Sequence, residues 1–199
     1  MTLLARISVA LSFVAMFALA LGCNGPSAEA MEKEWHGHKE NVQKYEAKYP
    51  AFKTALEALL GDAQKDFDAA KTADEKTRGD KMKAVNDRVV SSIKMFEGYE
   101  SELDKQKKLL EDKALQDLPA SKFNPAADAA KAAVAKAEAL IKDAKPANMG
   151  EAKAKIEEAT KSLQDGGKDL AALKASVATS AKAAGPAPSA TATASAKAK

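Results

Sequence analysis

The chain has 199 residues, with 31 basic and 28 acidic side chains and a single cysteine, Cys23. Without Arg6 and the tail lysines Lys182, Lys197 and Lys199, 27 basic residues face 28 acidic ones, interleaved rather than blocked. That balance lacks the one-signed basic face that nucleic-acid binding requires, and one cysteine excludes an internal disulfide. Ala, Lys, Glu, Leu and Asp dominate while aromatics make up only 5%, the composition of long helices. The expected class is all-α.

Arg6 precedes an apolar run of 15 residues, Ile7 to Leu21. A charged start, an apolar core and a small-residue cleavage site are the parts of an export signal. The run is short of the ~18–20 residues that cross a bilayer as a helix. It closes on Ala20-Leu21-Gly22-Cys23 and gives way to the polar Asn24-Gly25-Pro26-Ser27. Small or apolar residues leading into Gly-Cys resemble the lipobox of bacterial lipoproteins. The resemblance implies cleavage before Cys23, thioether lipidation of its sulfur and acylation of the new N-terminus. Asn24 in the next position implies the outer membrane in a Gram-negative host. An uncleaved anchor and an ordinary signal beside an incidental cysteine are the alternatives. On the lipoprotein reading, 1–22 is the signal, 23–30 the lipidated start and a short linker, 31–177 the helical bundle and 178–199 a disordered tail.

From Met31 the apolar positions run Met31, Trp35, His38, Val42, Tyr45, Tyr49, Phe52, Leu56, Leu59, Ala63, in alternating steps of four and three. Such a repeat turns one stripe to a partner helix. Pro50 removes a backbone donor and clashes with the carbonyl of Glu46, so a kink or short break belongs there. The phase survives it, which predicts one bent helix. Thr72-Ala73-Asp74-Glu75 has the pattern of a capping box, and a turn is expected between Lys71 and Asp80, with Gly79 as another stop. A second seam follows: Met82, Val85, Val89, Ser92, Phe96, Tyr99, Leu103, Gln106, Leu110. Two helices of about 40 residues would each run ~60 Å and form a long antiparallel hairpin.

Leu118-Pro119 and Asn124-Pro125 bracket a predicted loop, with Asn124 as cap and Pro125 at the first helical position. The third helix carries the alanine-rich seam Ala127, Ala130, Val134, Ala137, Ile141, Ala144 and stops at Lys145-Pro146. Asn148 and Glu151 form a second capping pattern that opens a fourth helix, with Met149, Ala152, Ile156, Ala159, Leu163, Gly166, Leu170, Leu173 and Val177 on one stripe. Gly166-Gly167 inside it marks either a tight crossing or a local break. The second pair makes a shorter, Ala-rich hairpin, and the whole a four-helix bundle or a coiled-coil-like assembly. A three-four seam serves intramolecular and intermolecular packing alike.

Chemistry is scarce. His36 and His38 are the only histidines and, two apart on a helix, point about 200° away from each other. Glu32, His36 and Glu40 share a stripe that could hold a loose metal ion, but read as a solvated charged face. His38 lies on the first seam among aromatics, as a histidine satisfied by a neighbour. No nucleophile–base pattern, glycine-rich phosphate loop or haem-attachment motif occurs, so neither an enzyme nor a cofactor is expected. The last residue is Lys199. A lipid at one end, a helical shaft and a C-terminal lysine resemble the layout of Braun's lipoprotein, which implies peptidoglycan attachment through the Lys199 amine. Trp35 followed by Tyr49-Pro50-Ala51-Phe52 resembles, over less than a tenth of the chain, a stretch of the LemA family. The expected function is a lipid-anchored envelope spacer, scaffold or module for an envelope protein partner, facing the periplasm. The rival is a ligand-binding bundle with His38, Tyr45 and Tyr49 lining a pocket.

Overall fold

The computed structural model describes residues 25–183, which are all-α, with no strand among the described residues. Six α-helices and one 3-10 turn follow in order: α1 (Ala28–Lys48), the turn Pro50–Phe52, α2 (Lys53–Lys71), α3 (Glu75–Leu110), α4 (Lys113–Gln116), α5 (Ala120–Lys142) and α6 (Met149–Ala183). Cys23, Lys199 and the expected signal, 1–22, lie outside the described residues.

The proline at position 50 does more than bend a helix. The residue before a proline is excluded from helical geometry by the ring, and Tyr49 accordingly sits at φ −126°, ψ 71°. The chain then turns back on itself. Trp35 of α1 stacks on Phe67 of α2 with ring centroids 4.9 Å apart, its Nε1 donates to Gln64 at 3.2 Å, and Glu32 pairs with Lys71 at 3.1 Å. So α1 and α2 are antiparallel partners rather than one bent helix. The seam kept phase across Pro50 because both helices turn the same stripe inward, and every seam residue from Met31 to Ala63 is buried or half-buried. Phase reports which residues are covered; it carries no information about chain direction.

Against this pair lies α3, whose 36 residues extend ~54 Å. It runs parallel to α1: the Asn86 amide donates to the Met31 carbonyl at 3.1 Å, and the Tyr49 hydroxyl to Glu100 at 2.5 Å. It is antiparallel to α2, with Arg88 on Asp66 at 2.7 Å. The cap of α3 is Asp74, which accepts from the Thr77 amide at 3.2 Å. Thr72, expected in that role, instead closes α2 by donating to the Ala69 carbonyl at 2.8 Å. Gly79, read from sequence as a stop, is inside α3.

The second half also departs from expectation at a proline. α5 begins at Ala120 behind Pro119, so the predicted loop between Leu118 and Pro125 is mostly helix, and Asn124 does not cap. Pro125 is the sixth residue of α5 and lies inside the helix, where its ring removes the amide that would bond the Ser121 carbonyl. The Asn148–Glu151 cap forms as expected: Asn148 Oδ1 accepts from the Glu151 amide at 3.0 Å, and Glu151 Oε2 from the Ala147 amide at 2.9 Å. α6 then runs unbroken through Gly166-Gly167 to Ala183, six residues beyond the expected end at Val177. The glycines mark the tight crossing. A Cβ on Gly166 would lie 2.2 Å from Ala133 Cβ of α5, and one on Gly167 would lie 1.8 Å from Gln106 Oε1 of α3.

α3 and α6 run parallel: Arg88 shares a cleft with Asn148 and Met149, Gln106 meets Gly167, and Asp112, just past the end of α3, accepts from Lys174 at 2.5 Å, so α6 is shifted towards the C-terminal end of α3. They form a continuous spine. The α1–α2 pair packs on its first half, and α5 on its second. The Ala-rich pairing of α5 with α6 is present, whereas the expected long hairpin is replaced by α1 and α2 folded on each other and on α3; two three-helix units thus share the spine and meet where the Tyr49–Ala51 turn abuts the C-terminal end of α5.

Candidate functional site

Three places hold the residues singled out from sequence: the junction of the two units and the two ends of the rod. At the junction, Tyr45, Tyr49 and Phe52 surround Phe96, and Tyr99 meets Tyr49 edge-on at 6.5 Å. The Phe96 ring centroid is 5.3 Å from Tyr45, 5.2 Å from Tyr49 and 5.3 Å from Phe52. Mixed stacked and edge-on geometries like these satisfy the ring quadrupoles. Tyr49 is held further by its bond to Glu100, which also pairs with Lys48. Burial together with the Glu100 carboxylate holds the Tyr49 phenol far above its ordinary range. Burial, with Glu138 and Glu100 nearby, pushes the Tyr99 phenol up to about 12. Tyr45 is raised by burial first and by Glu100 and Glu97 after it.

A cleft of about 390 Å³ opens beside this cluster, lined by Tyr49, Pro50, Tyr99, Leu103, Ile141 and Lys142 among others. Of the three residues expected to line one pocket, only Tyr49 does so here. Tyr45 is committed to the ring cluster. His38 lies two helical turns earlier on α1, half-buried, where loss of hydration lowers its imidazole pKa and Glu34 and Asp87 oppose the shift. The three share a stripe without converging. Phe96 and Tyr99 were visible as members of the second seam. Glu100 was not, because it lies off that stripe and only the chain reversal at Pro50 brings Tyr49 to it.

No metal-binding arrangement of three His, Cys, Asp or Glu side chains occurs among the described residues. Glu32, part of the stripe weighed for a metal, faces Lys71 instead. Nor is any helix among the described residues long and apolar enough to cross a membrane.

At the first end, the segment that follows Cys23 is seated rather than loose. Pro26 lies on Gly79 so closely that a Cβ there would fall 1.8 Å from the Pro26 carbonyl oxygen. Gly25 is packed in the same way on Asp80, where an added Cβ would be 2.8 Å from the carboxylate. Ser27 caps α1 by accepting from the Ala30 amide at 3.2 Å. A cleft of about 730 Å³ lies between this segment and the start of α3, with Glu75, Lys76, Arg78 and Asp80 on its α3 side.

The other end is formed by α4, the start of α5 and the last turns of α6, around a small core of Leu115, Ala126, Ala130 and Leu170. From Glu75 at one end to Ala183 at the other, the spine spans roughly 70 Å at 1.5 Å per residue. No protein-family model matches the chain, and no curated protein or solved structure matches it. Function has to be argued from this geometry and the sequence.

Proposed function

We propose that the chain is a lipid-anchored cell-envelope protein, held in the outer membrane through Cys23 and facing the periplasm, whose helical body acts as a spacer or scaffold. The observation that carries this reading is the placement of the two ends. Residue 25 sits at the end of the rod formed by the α2–α3 turn, only two residues after Cys23. Ala183, which leads to Lys199, sits at the far end. Gly25 and Ala183, the first and last described residues, are therefore separated by the length of the rod, as a spacer requires. The core between them is filled by side chains, and several surface carboxylates pair with lysines, as in Lys83–Asp87 at 2.5 Å and Lys107–Glu138 at 2.8 Å. A filled core suits a body whose role is to hold its two ends apart.

Peptidoglycan attachment through the Lys199 amine is the more specific form of the proposal, and an envelope protein bound along the polar faces is the general one. Mass spectrometry of the protein from its native envelope tests both. A chain beginning at tri-acylated Cys23 and carrying muropeptide on Lys199 is expected; an unmodified Cys23 removes the anchor, and an unmodified Lys199 removes the wall link. The ligand-binding alternative requires His38, Tyr45 and Tyr49 to converge. The junction cleft takes only Tyr49 of the three, so the spacer is preferred.

A further inference from the structure

We infer that the end of the rod formed by Gly25–Ala28 and the first turns of α3 is a docking surface for the headgroup layer of a zwitterionic phospholipid bilayer, on which the rod stands end-on. The inference rests on the lipid anchor at Cys23 and adds the face that meets the membrane and the attitude of the rod.

Its first support is length. Two residues of extended chain reach at most ~7 Å, so a lipid on Cys23 places Gly25 at the headgroup level. The second is the seating of the segment. An ordinary linker would let the body swing, but here the backbone of Pro26 approaches Gly79 as closely as only glycine permits, and Gly25 lies against the Asp80 carboxylate, which together fix where the chain leaves the bundle. The anchor therefore pulls on the end of α3 rather than on a leash. The third is charge. The cleft of about 730 Å³ beside the seated segment carries two cations, Lys76 and Arg78, and two anions, Glu75 and Asp80. A wholly anionic surface would be attracted by the first pair and repelled by the second. A headgroup that holds phosphate and ammonium together can satisfy both.

The test uses the full lipidated protein in nanodiscs of phosphatidylethanolamine and phosphatidylcholine containing a nickel-chelating lipid. Single spin labels are placed through Lys81→Cys and Lys113→Cys, towards opposite ends of the rod and outside the cleft. Relaxation enhancement by nickel at position 81 is expected to exceed that at position 113 at least fivefold. Gly79→Val, which displaces Pro26, should bring the two within twofold. Because that change alters a buried site, a second variant inserts six Gly-Ser residues between Cys23 and Gly25, leaving the fold intact with the same expected collapse. Replacing half of the zwitterionic lipid by phosphatidylglycerol should lower the contrast. Equal enhancement at both positions in the lipidated wild type overturns the inference and leaves the anchor standing. Protein that never partitions into the discs and shows no lipid by mass overturns the anchor itself, and this inference with it.

Discussion

The two three-helix units share one spine and are built to opposite recipes. The first is filled by large side chains: Trp35, Phe52, Leu56, Phe67, Met82 and Phe96 are all buried there. The second is filled mainly by small ones, with Ala127, Ala130, Ala133, Ala137 and Ala159 buried beside a few leucines and isoleucines. Large rings hold helices apart and contribute through buried apolar area, about 25 cal/mol per Å². Alanines and Gly166 let α5 and α6 approach until backbone meets side chain, and there stability comes from close packing over a long contact. The same four-three spacing thus supports two different energetics. The first unit is vulnerable to removal of atoms, and the second to their addition.

The largest expected effect tests the first half of that statement. Phe96 touches Tyr45, Tyr49 and Phe52 at once, and Phe96→Ala is expected to cost about 3–5 kcal/mol, the range for a buried phenylalanine. Urea denaturation reads it. A loss below about 1 kcal/mol would mean that the ring cluster is not the centre of the first unit.

Next in size is an addition to the second. Gly166→Val would force Ala133 and the Ala129 carbonyl away from α6, and overpacking of this kind typically costs about 1–3 kcal/mol. The sharper readout is the position of the loss. Amide exchange should accelerate in α5 and the second half of α6, and remain slow in α1 and α2. Uniform acceleration would show that the shared spine couples the units too tightly for them to be distinguished.

A pH titration separates them by chemistry rather than by volume. Tyr45, Tyr49 and Tyr99, all at the first unit or the junction, have phenols raised above the ordinary value of 10.0. An acid whose folded pKa is raised is favoured in its protonated form by folding. Its contribution is complete below the unfolded pKa and is lost as pH rises from 10 towards the folded value, about 12 for Tyr99. Stability should therefore fall steadily above pH 10. Tyr99→Phe should flatten that fall, while the Gly166→Val background should leave its slope unchanged. His38 acts at the other side of neutrality: with its folded pKa lowered, its contribution is present above 6.5 and declines as pH drops below it.

How far all this was legible in the sequence divides along the same line. Burial was readable throughout, since the seams from Met31 to Ala63 and from Met82 to Leu110 are buried or half-buried at every position. Chain path was not. Pro50 announced a break, but whether the chain continues or reverses depends on Trp35 meeting Phe67, a contact between residues far apart that periodicity does not encode. Pro119 and Pro125 misled for a related reason: α5 opens directly behind Pro119 and continues through Pro125 at the loss of one backbone hydrogen bond, so a proline alone does not place a helix boundary. The Gly166 crossing was readable as one of two outcomes, and Ala133 decides it. The tyrosine stripe shows the limit for function. His38, Tyr45 and Tyr49 share a face, yet sharing a face spreads them along a helix instead of gathering them round a ligand.

The smallest effect is also the cleanest discriminator, because it contrasts glycines rather than units. Gly61 lies inside α2 on the exposed side, and a Cβ there would meet nothing within 4 Å. Gly61→Ala should therefore stabilise by about 0.5–1 kcal/mol, the helix-propensity difference between the two residues. Gly79→Ala, inside α3, has the same propensity gain but drives a methyl into the Pro26 carbonyl oxygen, so its net effect should be a loss. The pair differs by one variable, the presence of a neighbour, and equilibrium unfolding of the two variants reads it directly. If Gly79→Ala proves as stabilising as Gly61→Ala, Pro26 does not rest on α3. The segment that opens with Gly25 would then be free to swing, and the proposed attitude of the rod on a bilayer would fall while both three-helix units stayed intact.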